Sequence, residues 1–411
     1  MSGPDHRIAT NPRPNTSEAN PRAVPDAIDE IRAAAAATRR VAGQTHEYYR
    51  YPARFSPQFA RSAIQSFTKA GDVVLDPFMG GGTSAVEALS LRRRYIGADI
   101  SPISTFVTRI KTTPLSVQDA SVILGWAAAT RDYSNPESHA SGAAARIEFG
   151  PNVPWWLSRE IGRLAHSAAL LPTRVQRAFA RCTVLRVAQW ALDNRRQIAR
   201  LEEFREAHQK FVAGMLSYAV RMGQDAGPIH PPSDWSSRRL LCRPAAGLEH
   251  DRRIPQSWKP VRLVVTSPPY PGVHVLYHRW QVQGRRETAA PFWIVGREDG
   301  HPSSHYTMGP RYAPDLSGYL VEFESSFRSV AAMLDRHSLV VQLVGFSDAE
   351  TQLGPVLDAM VSAGFSEVDA DNPRMGSSRL WRSVPNRRWY ALNQPSADAS
   401  REVLLLHRLS R

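Results

Sequence analysis

Val73-Val74-Leu75-Asp76-Pro77-Phe78-Met79-Gly80-Gly81-Gly82-Thr83-Ser84 decides how this chain folds. The apolar run reads as a buried strand, stopped by an acid, a proline and three glycines before a helix opens. Glycines there let backbone come close to a ligand, and Thr83 or Ser84 can cap the helix expected over Ala85–Leu91. A second strand, Tyr95-Ile96-Gly97-Ala98, ends in Asp99. Strand, glycine loop, helix, strand and acidic tip follow the logic of a nucleoside site in a doubly wound sheet, where the terminal acid accepts hydrogen bonds from ribose hydroxyls. Asp76 lies in the loop itself, where it would repel a pyrophosphate and suit a cation such as the ammonium of a methionine moiety. The pattern therefore points to S-adenosylmethionine rather than NAD or ATP.

Further along, the β-branched run Val261-Arg262-Leu263-Val264-Val265 meets Thr266-Ser267-Pro268-Pro269-Tyr270. This reads as a buried strand ending in a rigid turn. Two fixed proline φ angles hold the backbone still, so the Ser267 hydroxyl and the Pro268 carbonyl can both accept from one exocyclic NH2. Tyr270 can stack on the ring that carries that amine.

These residues resemble a known family. Asp76-Pro77-Phe78-Met79-Gly80-Gly81-Gly82-Thr83 looks like the cofactor motif, and Ser267-Pro268-Pro269-Tyr270 the catalytic motif, of the amino-group DNA methyltransferases that make N4-methylcytosine or N6-methyladenine. His46 to Phe59 resembles that family's preceding cofactor-side motif, with Tyr51, Arg54 and Phe55 toward the methionine end. The resemblance implies a mainly parallel, doubly wound α/β methyltransferase (Rossmann-like) sheet, with S-adenosylmethionine as cofactor. It implies Ser267, Pro268, Pro269 and Tyr270 as catalytic residues. Tyr51, Arg54, Phe55, Asp76, Pro77, Phe78, Gly80, Gly82, Thr83, Asp99 and Ile100 become the cofactor-binding residues. Serine in the catalytic motif is more usual for cytosine N4 and aspartate for adenine N6, so cytosine N4 is the expected target, adenine N6 the nearer alternative, and a non-catalytic nucleic-acid-binding protein the more distant one. The substrate implied is double-stranded DNA with its target base flipped out, and the resemblance admits a cognate restriction endonuclease as partner. One departure stands out. The family often places a strand ending in Gly-Asp near the adenine ring, and the best match here, Leu240-Leu241-Cys242-Arg243-Pro244, lacks the acid. Either backbone and Arg243 read the adenine edge, or the strand lies elsewhere.

Composition agrees with a nucleic-acid partner. The 411 residues carry 51 Lys and Arg against 38 Asp and Glu, a net charge of +13, which suits a polyanion. At 42% hydrophobic content the chain can bury one large core and a smaller appendage. No run of about 18 apolar residues and no signal peptide is evident, so a cytoplasmic protein without membrane contact is expected. Cys182 and Cys242 stand far apart, which argues against a disulfide framework and structural zinc. His274 and His278 have i, i+4 spacing but no accompanying Glu or third ligand, so no metal is expected.

The pattern divides the chain into a disordered leader (1–25), a cofactor-binding part (26–114), a helical insertion suited to target recognition (115–237) and a catalytic part (238–411). Ala33 to Thr38 reads as the end of a short helix. Arg174–Leu192 and Leu201–Met222 are the clearest helices of the insertion. Later elements are a helix over Leu316–Leu334, a strand over 338–344, a helix over Leu353–Ala363 and a last strand over 402–406. The loop after the catalytic motif interleaves aromatics and cations, with His278, Arg279, Arg285 and Arg286 as DNA-contact candidates. A second cluster, Trp381 to Tyr390, is a candidate for the same groove. The Arg92-Arg93-Arg94 run reads as structural, at a helix C-terminus.

Overall fold

The computed structural model describes residues 24–36, 45–51, 54–131, 152–193, 195–225, 235–271, 280–283, 286–297, 308, 315–346, 348–368, 379–383 and 401–410. Its strands are β1 (Val73–Asp76), β2 (Arg94–Asp99), β3 (Arg238–Cys242), β4 (Leu263–Thr266), β5 (Trp280–Val282), β6 (Arg286–Thr288), β7 (Leu339–Gly345), β8 (Phe365–Glu367), β9 (Trp381–Ser383) and β10 (Arg401–Leu409). The helices are α1 (Val24–Ala36), α2 (Pro57–Phe67), α3 (Thr83–Ser90), α4 (Pro102–Lys111), α5 (Val117–Arg131), α6 (Trp155–Ala169), α7 (Arg174–Leu192), α8 (Leu201–Asp225), α9 (Ala290–Val295), α10 (Ser317–Ala331) and α11 (Ala349–Ser362).

One sheet runs in the order β3-β2-β1-β4-β7-β10-β8, with β9 on β10. The pairs from β3 to β7 are parallel, whereas β10 runs antiparallel to β7, β8 and β9. Alternation along the strands feeds two cores. Val74, Leu263, Val265, Val341 and Leu343 face α1, α2 and α3, while Leu75, Val264, Val340 and Val344 face α10 and α11. This is the mainly parallel sheet covered on both faces that the alternating elements predict.

A third core joins α5 to α8 with Tyr48, Tyr49, α4, Trp280 and α9. The helical block therefore packs as one body with the segment before β1 and with the segment after the Ser-Pro-Pro-Tyr turn. Trp280 belongs to this core and is 2% exposed.

Local chemistry explains the boundaries that shifted. Helix α2 starts where Ser56 accepts from the Phe59 amide at 3.1 Å, with Pro57 at its first position. Asp348 caps α11, so that helix begins four residues before the expected Leu353. Val261 bonds Met333 backbone rather than a strand, and β4 starts at Leu263. Residues 1–23 lie outside the described ones, and α1 opens at Val24, inside the expected leader. Arg93 closes the end of α3 by donating to the Leu91 and Thr68 carbonyls, while Arg94 opens β2 with its guanidinium 5.9 Å from the Trp258 ring.

Candidate functional site

Parallel strands end at one edge of the sheet, and the site lies there. The C-terminal ends of β1, β2, β3 and β4 carry Asp76, Asp99, Cys242 and Thr266. A cavity of about 850 Å3 opens over them. Tyr51, Arg54 and Phe55 wall one side, the loop contributes Pro77, Phe78, Gly80 and Thr83, and β2 contributes Asp99 and Ile100. Ser267, Pro268, Pro269 and Tyr270 close the far side. The two motifs, almost two hundred residues apart in sequence, thus share one wall-to-wall space.

Asp99 binds the loop to β2. Its carboxylate accepts from the Gly80 amide at 2.9 Å and the Ser101 amide at 2.7 Å, and burial pushes its carboxyl up to about 6. Ile100 is an apolar side chain 39% exposed at the lip, a surface on which a flat base can lie. Beneath the loop, Gly82 adopts φ +74°, and a Cβ there would sit 2.4 Å from Thr108 Oγ1. Over the loop, a Cβ on Gly80 would meet the Tyr51 ring at 2.9 Å. Protein side chains on both sides of the loop, rather than ligand approach alone, make these positions glycine.

Two expected cofactor residues do not line the cavity: Asp76 and Gly82. Asp76 is 1% exposed. Its Oδ1 accepts from Thr266 Oγ1 at 2.7 Å and the Phe78 amide at 3.1 Å, and its Oδ2 from Ser84 Oγ at 2.5 Å. Burial pushes its carboxyl up to about 6 despite these donors. In the structure Asp76, expected to grip a cationic ligand, fastens β1, α3 and β4 together below the loop.

Several contributors were not anticipated. Lys111, at the end of α4, is buried and donates to the Gly81 carbonyl at 2.7 Å, and burial lowers its ammonium to about 7. His46 pairs with Glu87 at 2.7 Å, and Glu87 also meets Arg61 at 3.0 Å, anchoring the segment that carries Tyr51. Arg54 donates to the His46 carbonyl at 3.2 Å. The 240–244 strand exists, as β3 paired parallel to β2, but the Arg243 guanidinium is taken by Asp251 at 3.0 Å and by the Ala246 carbonyl. Arg243, Pro244 and Ala245 still line the cavity. A basic or acidic letter in a sequence does not reveal its partner, and here the partners lie a whole element away.

At the Ser-Pro-Pro-Tyr turn, Tyr319 from α10 donates to the Pro269 carbonyl at 2.8 Å, and Ser267 Oγ donates to the Tyr270 hydroxyl at 3.0 Å. Of the expected DNA contacts, His278, Arg279 and Arg285 lie outside the described residues, as does His274; Arg286 opens β6. In the Trp381–Tyr390 cluster, Arg382 is not a groove cation. It pairs with Glu402 at 2.5 Å and donates to the Ala35 carbonyl, and Trp381 packs on Phe346. Residues 384–390 lie outside the described ones. Among the described residues there is no cluster of metal-ligating side chains, and no helix is long and apolar enough to cross a membrane.

Comparison with known proteins matches the part of the site that precedes β3. Residues 28–104 match the family described as DNA methylase. The type II methyltransferase M.MvaI of Kocuria varians is 40% identical over 74 residues, 17% of this chain and 16% of that one. M.MjaII of Methanocaldococcus jannaschii is 32% identical over 79 residues, 19% of this chain and 15% of that one. A tRNA (guanine(10)-N2)-dimethyltransferase of Methanothermobacter thermautotrophicus is 35% identical over 97 residues, 21% of this chain and 29% of that one. The matched segments span under a third of each relative.

Proposed function

We propose, from the premise that residues 28–104 belong to the DNA methylase family, that this chain transfers a methyl group from S-adenosylmethionine to the exocyclic N4 amine of cytosine in double-stranded DNA. The observation that carries the proposal is the single cavity bounded by the glycine loop and Asp99 on one side and by Ser267–Tyr270 on the other. Its residues fit the cofactor: a half-buried acid for ribose hydroxyls, an exposed isoleucine for the base, and a glycine loop packed by the Tyr51 ring and hydrogen-bonded by Lys111.

The bound cofactor would supply an electrophilic sulfonium methyl. Ser267 and the Pro268 carbonyl accept the two N–H bonds of the amine, which turns the nitrogen lone pair toward the cofactor side. Tyr270 stacks on the base ring. Orientation supplies most of the rate, and no strong base is required because the proton leaves after the nitrogen has become cationic. The base has to leave the duplex to reach this turn. His278, Arg279, Arg285 and Arg286 would hold the backbone phosphates, and the helical block over 115–237, which shares its core with Trp280 and α9, would read the sequence. A cognate restriction endonuclease is proposed as partner on the strength of the type II relatives.

The test is nucleoside mass spectrometry on DNA from cells expressing the wild type and Ser267→Ala. N4-methylcytosine in the first and none in the second is the expected result. N6-methyladenine instead would move the target to adenine, and methylated RNA with unmodified DNA would overturn the reading.

A further inference from the structure

We infer that Glu402 is a positioning residue for methyl transfer: through Tyr270 it commits the proton of Ser267 and leaves that hydroxyl as an acceptor facing the amine. The inference rests on the proposed function and names a residue outside both motifs. Antiparallel β10 brings its first residues to the edge where the parallel strands end, with Glu402 opposite Gly345 at the end of β7. Glu402 is 3% exposed there. Arg382 donates twice to its Oε2, at 2.8 and 2.5 Å. Its Oε1 accepts from the Tyr270 hydroxyl at 2.5 Å.

The direction of the chain follows from counting protons. A carboxylate paired with a guanidinium only accepts. Tyr270 has one hydroxyl proton, and it goes to Glu402. The phenol oxygen can then only accept from Ser267. A free serine hydroxyl can turn either way, whereas this one keeps its proton inside and its lone pairs toward the cavity. An exocyclic amine presents N–H donors and a ring carbonyl presents none, so the relay selects an amine. Serine thereby acts as an aspartate would at the same position, with the negative charge moved two residues along the chain of hydrogen bonds.

Glu402→Gln reverses this polarity with little change of shape. The amide oxygen stays with Arg382 and the amide NH2 donates to Tyr270. Tyr270 then donates to Ser267, whose proton swings into the cavity against the amine. Single-turnover transfer to DNA should fall about 100-fold, the scale of a lost hydrogen bond at a reacting group, with S-adenosylmethionine affinity unchanged. Tyr270→Phe cuts the relay and frees Ser267 to rotate, so Glu402→Gln should cost nothing further in the Tyr270→Phe background. An equal cost in both backgrounds would mean simple damage to the β9–β10 ion pair and would overturn the inference, as would an innocuous Glu402→Gln. A second readout needs no activity. Proton NMR of the wild type should show a downfield Tyr270 hydroxyl resonance that persists in Ser267→Ala and vanishes in Tyr270→Phe. Its absence overturns the relay. A wild type that shows the resonance and methylates no DNA amine instead refutes the functional reading and, with it, the role assigned to the relay.

Discussion

Replacing Asp76 separates a brace beneath the loop from a ligand contact. Asp76→Ala removes the acceptor of Thr266 Oγ1 and of the Phe78 amide, while Ser84 Oγ keeps the Tyr95 hydroxyl at 2.9 Å. Two stranded donors cost about 2–6 kcal/mol together, at about 1–3 kcal/mol each. Against this stands the cost of an ionised, fully buried carboxylate. With a folded value of about 6 above an ordinary value near 3.9, that cost is about 3 kcal/mol at neutral pH. The folded acid binds its proton more tightly than the unfolded one, so its stabilising contribution is complete below about pH 4 and is lost as the pH rises to about 6. Asp76→Asn keeps an acceptor for Thr266 and Phe78 and removes the charge. Its stability relative to wild type should therefore rise by about 3 kcal/mol between pH 4 and pH 7, whereas Asp76→Ala should be most damaging at the acid end. Urea unfolding of the three proteins across that range gives the differences directly, with the other titrating groups cancelling. Calorimetric titration should find S-adenosylmethionine bound by Asp76→Asn within a few-fold of wild type. A flat difference across pH, joined to a loss of affinity by Asp76→Asn, would refute the brace and restore a direct contact with the ligand.

Asp99→Ala should weaken S-adenosylmethionine binding by about 1.5–3 kcal/mol for the charged hydrogen bond lost, measured by calorimetry, with the released Gly80 amide adding to the deficit. Gly82→Ala forces a side chain into a left-handed position against Thr108; it should lower the melting temperature and abolish cofactor binding, and Gly82→Ala with Thr108→Ser should not recover either, because the φ of +74° remains. Lys111→Met removes a cation whose folded value lies near 7 rather than near 10.5. Wild-type stability should climb relative to the Met variant as the pH rises from 7 toward 10.5, because the unfolded chain still binds the proton that the folded lysine has released, and parallel urea curves at several pH values would show a constant difference over that range if the folded lysine instead kept its ordinary value near 10.5.

Local chemistry made part of this protein readable in advance. The Val73–Asp76 strand, the glycine loop, Asp99 and the Ser-Pro-Pro-Tyr turn announce themselves because strand period, proline and positive-φ glycine are properties of neighbouring residues. Alternating elements likewise predict a mainly parallel, two-sided sheet. The order of the strands could not be read, nor could the antiparallel return of β10 that delivers Glu402 to the site, since pairing joins residues that no local pattern links. For the same reason Asp76 was legible as an acid in a loop but not as the acceptor of Thr266, 190 residues away. Arg382 read as a groove cation until Glu402 stood beside it. Sequence specifies which groups a chain possesses and the backbone that presents them; burial and long-range partners, which set whether a charge faces a ligand or another side chain, are decided only when the distant segments meet.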